Sequence, residues 1–191
     1  MECSEERRMN VARFVTMYTL FNKLAEEPVD DEDDDMSTGE PVELCKPEPF
    51  NTDLAAGQIR LLGCDTSRMT YVVLLRRWED DSFVVMPFSA FKYPATDEEF
   101  KPSYDGGVFQ HVLQAWNTRT VADDMLKRSW LVGELPQQDI DDAWRMWEHT
   151  LGGKALDAGL LSRTGLPIYR DHDPRLRYKQ DELDNMKMWV Q

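Results

Sequence analysis

The chain has 191 residues, of which 41% are apolar and 30% charged, and a formal net charge of −14. That balance supplies a buried core and excludes a collagen-like repeat, a disulfide miniprotein and a chain disordered throughout. No run of about 18 apolar residues is present, which excludes a membrane-spanning helix, and Glu2, Glu5 and Glu6 stand where a signal peptide would be apolar.

In chain order, the first predicted element is a helix over residues 5–25, with Ser4 as its N-cap and Glu5 and Glu6 at the positive end of its dipole. Val11, Phe14, Val15, Tyr18, Phe21 and Ala25 recur at three- and four-residue steps, and Met17, Leu20 and Leu24 widen that stripe. Such a stripe must be covered, either by the chain's own domain or by a second chain. Eight acids and no bases follow within residues 26–35. Like charges repel and stay solvated, so residues 26–53 read as a disordered acidic linker. From Gly57 onward 17 Lys and Arg face 21 Asp and Glu, so most of the negative excess lies upstream. The acidic balance disfavours nonspecific nucleic-acid binding, which depends on neutralising phosphates.

A single α+β domain is expected over residues 54–191, β-rich over 54–117 and helical over 118–191. Residues 57–62, 69–75 and 82–86 read as strands, rich in branched and aromatic side chains. Trp78-Glu79-Asp80-Asp81 supplies a turn between the second and third, and Pro87 ends ladder pairing. Short strands with tight connections predict a small antiparallel barrel or a curled sheet. Residues 96–107 read as a polar loop with a turn at Asp105-Gly106-Gly107, and residues 108–117 as a further strand. Helices are expected over residues 120–132, stopped by Gly133, over 136–151, stopped by Gly152-Gly153, and over 174–189. Leu151 is expected to face inward from the second of these, and Leu176, Leu183, Met186 and Met188 from the third.

No phosphate-binding glycine loop, nucleophile elbow or zinc-protease motif is present, so no cofactor and no metal site is expected. His111, His149 and His172 stand apart from one another, and Asp171-His172-Asp173-Pro174 reads as the start of a helix. Cys3, Cys45 and Cys64 form no Cys-x-x-Cys pair and suit a reducing, cytoplasmic setting. The six tryptophans are expected to fill the core rather than stack bases. Arg76, Arg77 and Trp78 form a cluster at a strand end.

Gly57-Gln58-Ile59-Arg60-Leu61-Leu62, Arg68 ahead of Tyr71-Val72-Val73-Leu74, and Phe83-Val84-Val85-Met86-Pro87-Phe88-Ser89 resemble the strand order of the MazF/PemK family, over about a fifth of the chain. Gln58 stands where that family has an acidic residue and Met69 where it has proline. The resemblance implies an SH3-like barrel and, as an activity, endoribonuclease cleavage of single-stranded RNA. Arg68 would stabilise charge on the scissile phosphate, and Ser89 would position it.

Taken with the absence of any other catalytic pattern, the residues favour a cytoplasmic, bacterial, non-catalytic protein-interaction or regulatory role. The helix stripe Val11, Phe14, Tyr18 and Phe21 would contact a protein partner or a second copy. The alternative is the endoribonuclease, with Arg68 and Ser89 as its catalytic residues and RNA as its partner.

Overall fold

The computed structural model describes residues 2–26, 53–63, 69–104, 106 and 110–189. Residues 27–52 of the expected acidic linker, together with Arg68, Cys45 and Cys64, lie outside the described residues.

Helix α1 spans Glu2–Glu26. The strands β1 (Gln58–Leu62), β2 (Thr70–Trp78) and β3 (Ser82–Pro87) form the antiparallel centre of a sheet. Side chains alternate across it. Val73, Leu75, Val84 and Met86 join one core, while Val72, Leu74, Phe83 and Val85 join another. Because both faces are covered, the run Tyr71-Val72-Val73-Leu74-Leu75 is continuously apolar instead of alternating with polar residues. The β2–β3 hairpin turns at Glu79, which takes a positive φ of 57°.

The sheet is finished by two later strands, β6 (Arg119–Ala122) beside β3 and β7 (Trp130–Glu134) beside β1, giving the order β6-β3-β2-β1-β7. Here the structure corrects the sequence reading. The helix expected over residues 120–132 is a strand, the short helix α2 (Asp123–Lys127) and a second strand. Gly133 lies inside β7 instead of stopping a helix, and a Cβ there would sit 2.8 Å from the Tyr104 hydroxyl. The barrel is corrected as well. Strands β6 and β7 hold opposite edges of an open sheet, and α2, which joins them in the chain, rests against β1 and β6 with Leu126 buried.

The polar loop expected over residues 96–107 contains strand β4 (Glu99–Phe100), which pairs with β5 (Leu113–Gln114) in a separate ladder, and both residues of β4 are buried. A short 3-10 turn, Ala115–Asn117, follows β5. Helix α3 (Gln137–Thr150) covers one face of the sheet through Ile140, Ala143 and Met146, with Leu151 exposed beyond its end. Gly57, at φ +89°, lets this helix close on the sheet, since a Cβ there would fall 2.8 Å from Ile140 Cδ1. Helix α4 (Ala158–Ser162) is capped by Asp157, and α5 (Pro174–Met186) by Asp173 with Pro174 at its first turn.

Helix α5 turns Arg175, Tyr178 and Met186 inward and leaves Leu176 exposed. This differs from the stripe read from hydropathy, because the inner face of α5 carries Arg175 and Glu182 among its apolar members. A third core, of Phe14, Tyr18, Phe91, Ala95 and Tyr178, joins α1 to α5. Among the described residues no helix is long and apolar enough to cross a membrane.

Candidate functional site: a buried carboxylate cluster beside a cavity

Where α5 crosses the β4–β5 ladder, the interior is polar. Tyr178 Oη lies 2.8 Å from Ser89 Oγ and 2.9 Å from Glu99 Oε1, and it accepts a hydrogen bond from Gln114 Nε2 at 2.8 Å. The same amide nitrogen donates to Glu182 Oε2 at 2.9 Å. Glu99 also accepts from the backbone N–H groups of Ala95 and Thr96 at 2.6 and 3.3 Å, and from Trp116 Nε1 at 3.0 Å. The turn at residues 96–99, closed by the Glu99 N–H on the Thr96 carbonyl at 3.2 Å, and the one-turn spacing from Tyr178 to Glu182 bring these groups together. Sequence reading passed over Glu99, Gln114, Tyr178 and Glu182, because a lone carboxylate in an apparently polar loop or helix carries no motif.

Burial raises the carboxyl of Glu99 above the ordinary carboxylate range, against the pull of its hydrogen bonds. Glu182 is half-buried as a residue, yet burial of its carboxyl, aided by the charges of Glu99 and Asp181, pushes it up to about 7. Burial and the same two glutamates raise the Tyr178 hydroxyl well above its usual value. Among the described residues no cation pairs with Glu99 or Glu182, the nearby Lys179 being engaged with Glu98 at 2.5 Å.

Glu182 also lines a cavity of about 310 Å³ with Thr70, Tyr71, Phe88, Asn185 and Met186, and Met69 and Ala90 complete its wall. Glu182 can donate and accept a proton near neutrality, and the cavity gives a small ligand access to it.

Of the residues singled out from sequence, Ser89 is in this cluster. It is only 1% exposed, and its hydroxyl accepts from Phe91 N at 3.1 Å besides facing Tyr178. Arg68 lies outside the described residues. On α1, Phe14 and Tyr18 are packed inside the chain, their rings 5.1 and 5.8 Å from that of Phe91, and Val11 is half-buried. Tyr18 also donates to Asp181 Oδ2 at 2.6 Å. Two rings of this size bury more apolar area on Phe91 and Tyr178 than any exposed arrangement would, so they sit in the chain's own third core. Phe21 remains 60% exposed.

Arg76 stacks on Trp144 at 4.6 Å and Arg77 pairs with Asp123 at 2.8 Å, which ties the cluster at the end of β2 to the fold. His149 sits at the C-terminal end of α3 with Nδ1 3.2 Å from the Lys154 carbonyl. Among the described residues no group of three or more His, Cys, Asp or Glu is placed to hold a metal ion.

No protein-family model and no curated protein matches the chain. Part of the chain is similar to solved structures at low identity. An endoribonuclease in complex with its cognate antitoxin from a mycobacterial species is 11% identical, with 55% of this chain and 100% of that chain covered and a TM-score of 0.45. The MazE–MazF structure from Deinococcus radiodurans is 18% identical, with 53% of this chain and 97% of that chain covered and a TM-score of 0.41.

Proposed function

We propose that this chain is a non-catalytic protein-interaction module whose contact surface is the second half of α1. One observation carries the reading. Phe14 and Tyr18 are buried in the domain, whereas Leu20, Phe21 and Leu24, two to six residues beyond Tyr18, are 55%, 60% and 70% exposed. Met17, Leu20, Phe21 and Leu24 follow i, i+3, i+4, i+7 spacing, the pattern by which an amphipathic helix enters an apolar groove. Phe21 is thus the most exposed member of the predicted Val11, Phe14, Tyr18 and Phe21 stripe, one edge of its ring meeting Phe91 at 6.0 Å, and Phe14 and Tyr18 would meet a partner only if α1 left the domain.

Charge complementarity selects the occupant. The eight acids of residues 26–35 follow this surface directly in sequence, and the chain carries −14 overall. A second copy would bring like charge to the contact, so the partner is a protein whose groove is bordered by Lys and Arg.

The test substitutes Leu20, Phe21 and Leu24 together by Asp, which leaves Phe14 and Tyr18 in place. A protein captured from the source cells is purified and its affinity measured for both forms. Binding that weakens about tenfold or more in the variant, and weakens with added salt, supports the reading. Equal binding by the two forms refutes it, and sedimentation equilibrium showing the wild type alone to dimerise would transfer the surface to a second copy.

The endoribonuclease remains a second reading, with Arg68 and Ser89 as its residues. It has one supporting observation: Met69, next in sequence to Arg68, and Phe88 and Ala90, on either side of Ser89, all line the same cavity. The Ser89 hydroxyl would have to leave Tyr178 and the Phe91 N–H to reach a phosphate. Cleavage of single-stranded RNA by the full chain, lost in Arg68→Ala, would establish this reading; equal background from both forms would remove it.

A further inference from the structure

The interior of this protein holds two carboxyls, Glu99 and Glu182, that face each other across Gln114 and Tyr178 with no cation between them among the described residues. A buried carboxylate without a counter-ion is costly, and two near each other are more so. Such a pair is relieved by protonation or by a cationic guest. Glu182 is the one with a route to a guest, because it lines the cavity. The remaining wall specifies what the guest carries. Tyr71, Phe88, Met69 and Met186 offer aromatic and thioether surface, while Asn185 and Thr70 are the other polar contributors. A hydrated metal ion suits neither that lining nor the absence of a three-ligand cluster among the described residues. The volume, about 310 Å³, is at the small end of ligand cavities, which run from about 300 to 1,000 Å³.

We propose that this cavity binds a primary ammonium borne on an unbranched apolar chain, with the Glu182 carboxylate as its ion partner and the Tyr71–Phe88–Met186 wall holding the chain. The inference is independent of α1 and of the protein-interaction reading. The groups that face Glu182 are Glu99 from β4, Gln114 from β5, and Tyr178 and Asp181 from α5 itself. All the charged ones are acidic, so ionisation of Glu182 adds to a field that attracts a cation. The carboxyl titrates near 7 without a guest, so affinity for the ammonium rises as pH passes upward through neutrality. The same ammonium could arrive as a free alkylamine or on the lysine side chain of another protein.

The experiment is calorimetric titration of the full chain with n-hexylammonium, n-hexanol and an Nα-acetyl-lysine amide, at about pH 6 and about pH 8.5. The expected result is that hexylammonium binds about tenfold or more tightly than hexanol at the higher pH, and that this preference shrinks at the lower pH. Binding of the lysine amide as well would identify a side chain as an acceptable source; its failure beside hexylammonium would identify a free amine.

In Glu182→Gln, which keeps an acceptor for Gln114, the preference for the ammonium is expected to vanish while hexanol still binds. In Ala90→Trp, at the exposed rim of the cavity, both probes are expected to be excluded, with an unchanged circular dichroism spectrum. No binding of hexylammonium to the wild type, equal affinity for hexanol, or a preference retained in Glu182→Gln each overturns the proposal.

Discussion

Glu182→Gln gives the sharpest stability test of the buried cluster. In the folded chain this carboxyl titrates near 7, raised first by burial and then by Glu99 and Asp181, against an ordinary 4.5. The folded state therefore holds its proton more tightly than the unfolded chain does. Stability is greatest while both states are protonated, falls as pH rises from about 4.5 to about 7, and is level above that. At about 1.4 kcal/mol per pH unit, that interval corresponds to about 3 kcal/mol. Glutamine keeps the shape and an oxygen for the Gln114 amide but has no charge to bury. Urea unfolding of both forms across this range should give nearly equal stabilities at about pH 4.5, and a variant more stable by about 2–3 kcal/mol at about pH 8. Comparing the two forms cancels the titration of groups that do not interact with Glu182. A difference that stays constant with pH, or a wild type that gains on the variant as pH rises, would refute a buried carboxyl without a cation.

Asp139, fully buried in the first turn of α3, shows the opposite behaviour. Burial pushes its carboxyl up, but the Ser103 N–H and hydroxyl at 2.8 and 2.7 Å, the Tyr104 N–H and Arg163 pull it below the ordinary range overall. Its contribution is present above the unfolded carboxylate range and is lost as pH falls through its lower folded value. Asp139→Asn should therefore cost about 2–4 kcal/mol near neutrality, with the difference from wild type shrinking in acid unfolding curves. Phe14→Ala should lose about 3–5 kcal/mol, from a ring 5.1 Å from Phe91 and 4.7 Å from Tyr178, and hydrogen exchange should then quicken throughout α1. Unchanged exchange in that variant would show that this ring does not hold the helix. Gly57→Ala must accommodate both φ +89° and a Cβ 2.8 Å from Ile140, so its melting temperature should fall, while the open Gly152→Ala, at φ +81° with nothing within 4 Å, should lose less.

The contrast between α3 and α5 shows what hydropathy could and could not reveal. In α3 the inward residues Ile140 and Ala143 are apolar at helical spacing, and the sequence marks both the helix and its buried side. In α5 the inward side includes Arg175 and Glu182, so a reading by hydropathy selects Leu176, which is exposed. Arg175 is buried because Asp173 and the carbonyls of Ala95 and Leu166, at 2.6–2.8 Å, receive its guanidinium. Those partners lie up to 80 residues away in the chain.

Local chemistry by itself determined the three central strands, the turn at residues 79–81, the caps at Asp157 and Asp173, and the apolar stripe of α1, since each depends on neighbours within about two turns or one hairpin. Tertiary structure alone decided that residues 119–122 and 130–134 are edge strands, because β3 and β1 offered unpaired backbone groups that outweigh a modest helical preference. It also decided which side of α1 is covered and which carboxylates are buried. Burial is a property of what packs against a side chain, and for Glu99, Tyr178 and Glu182 those neighbours come from distant segments that only the folded chain brings together.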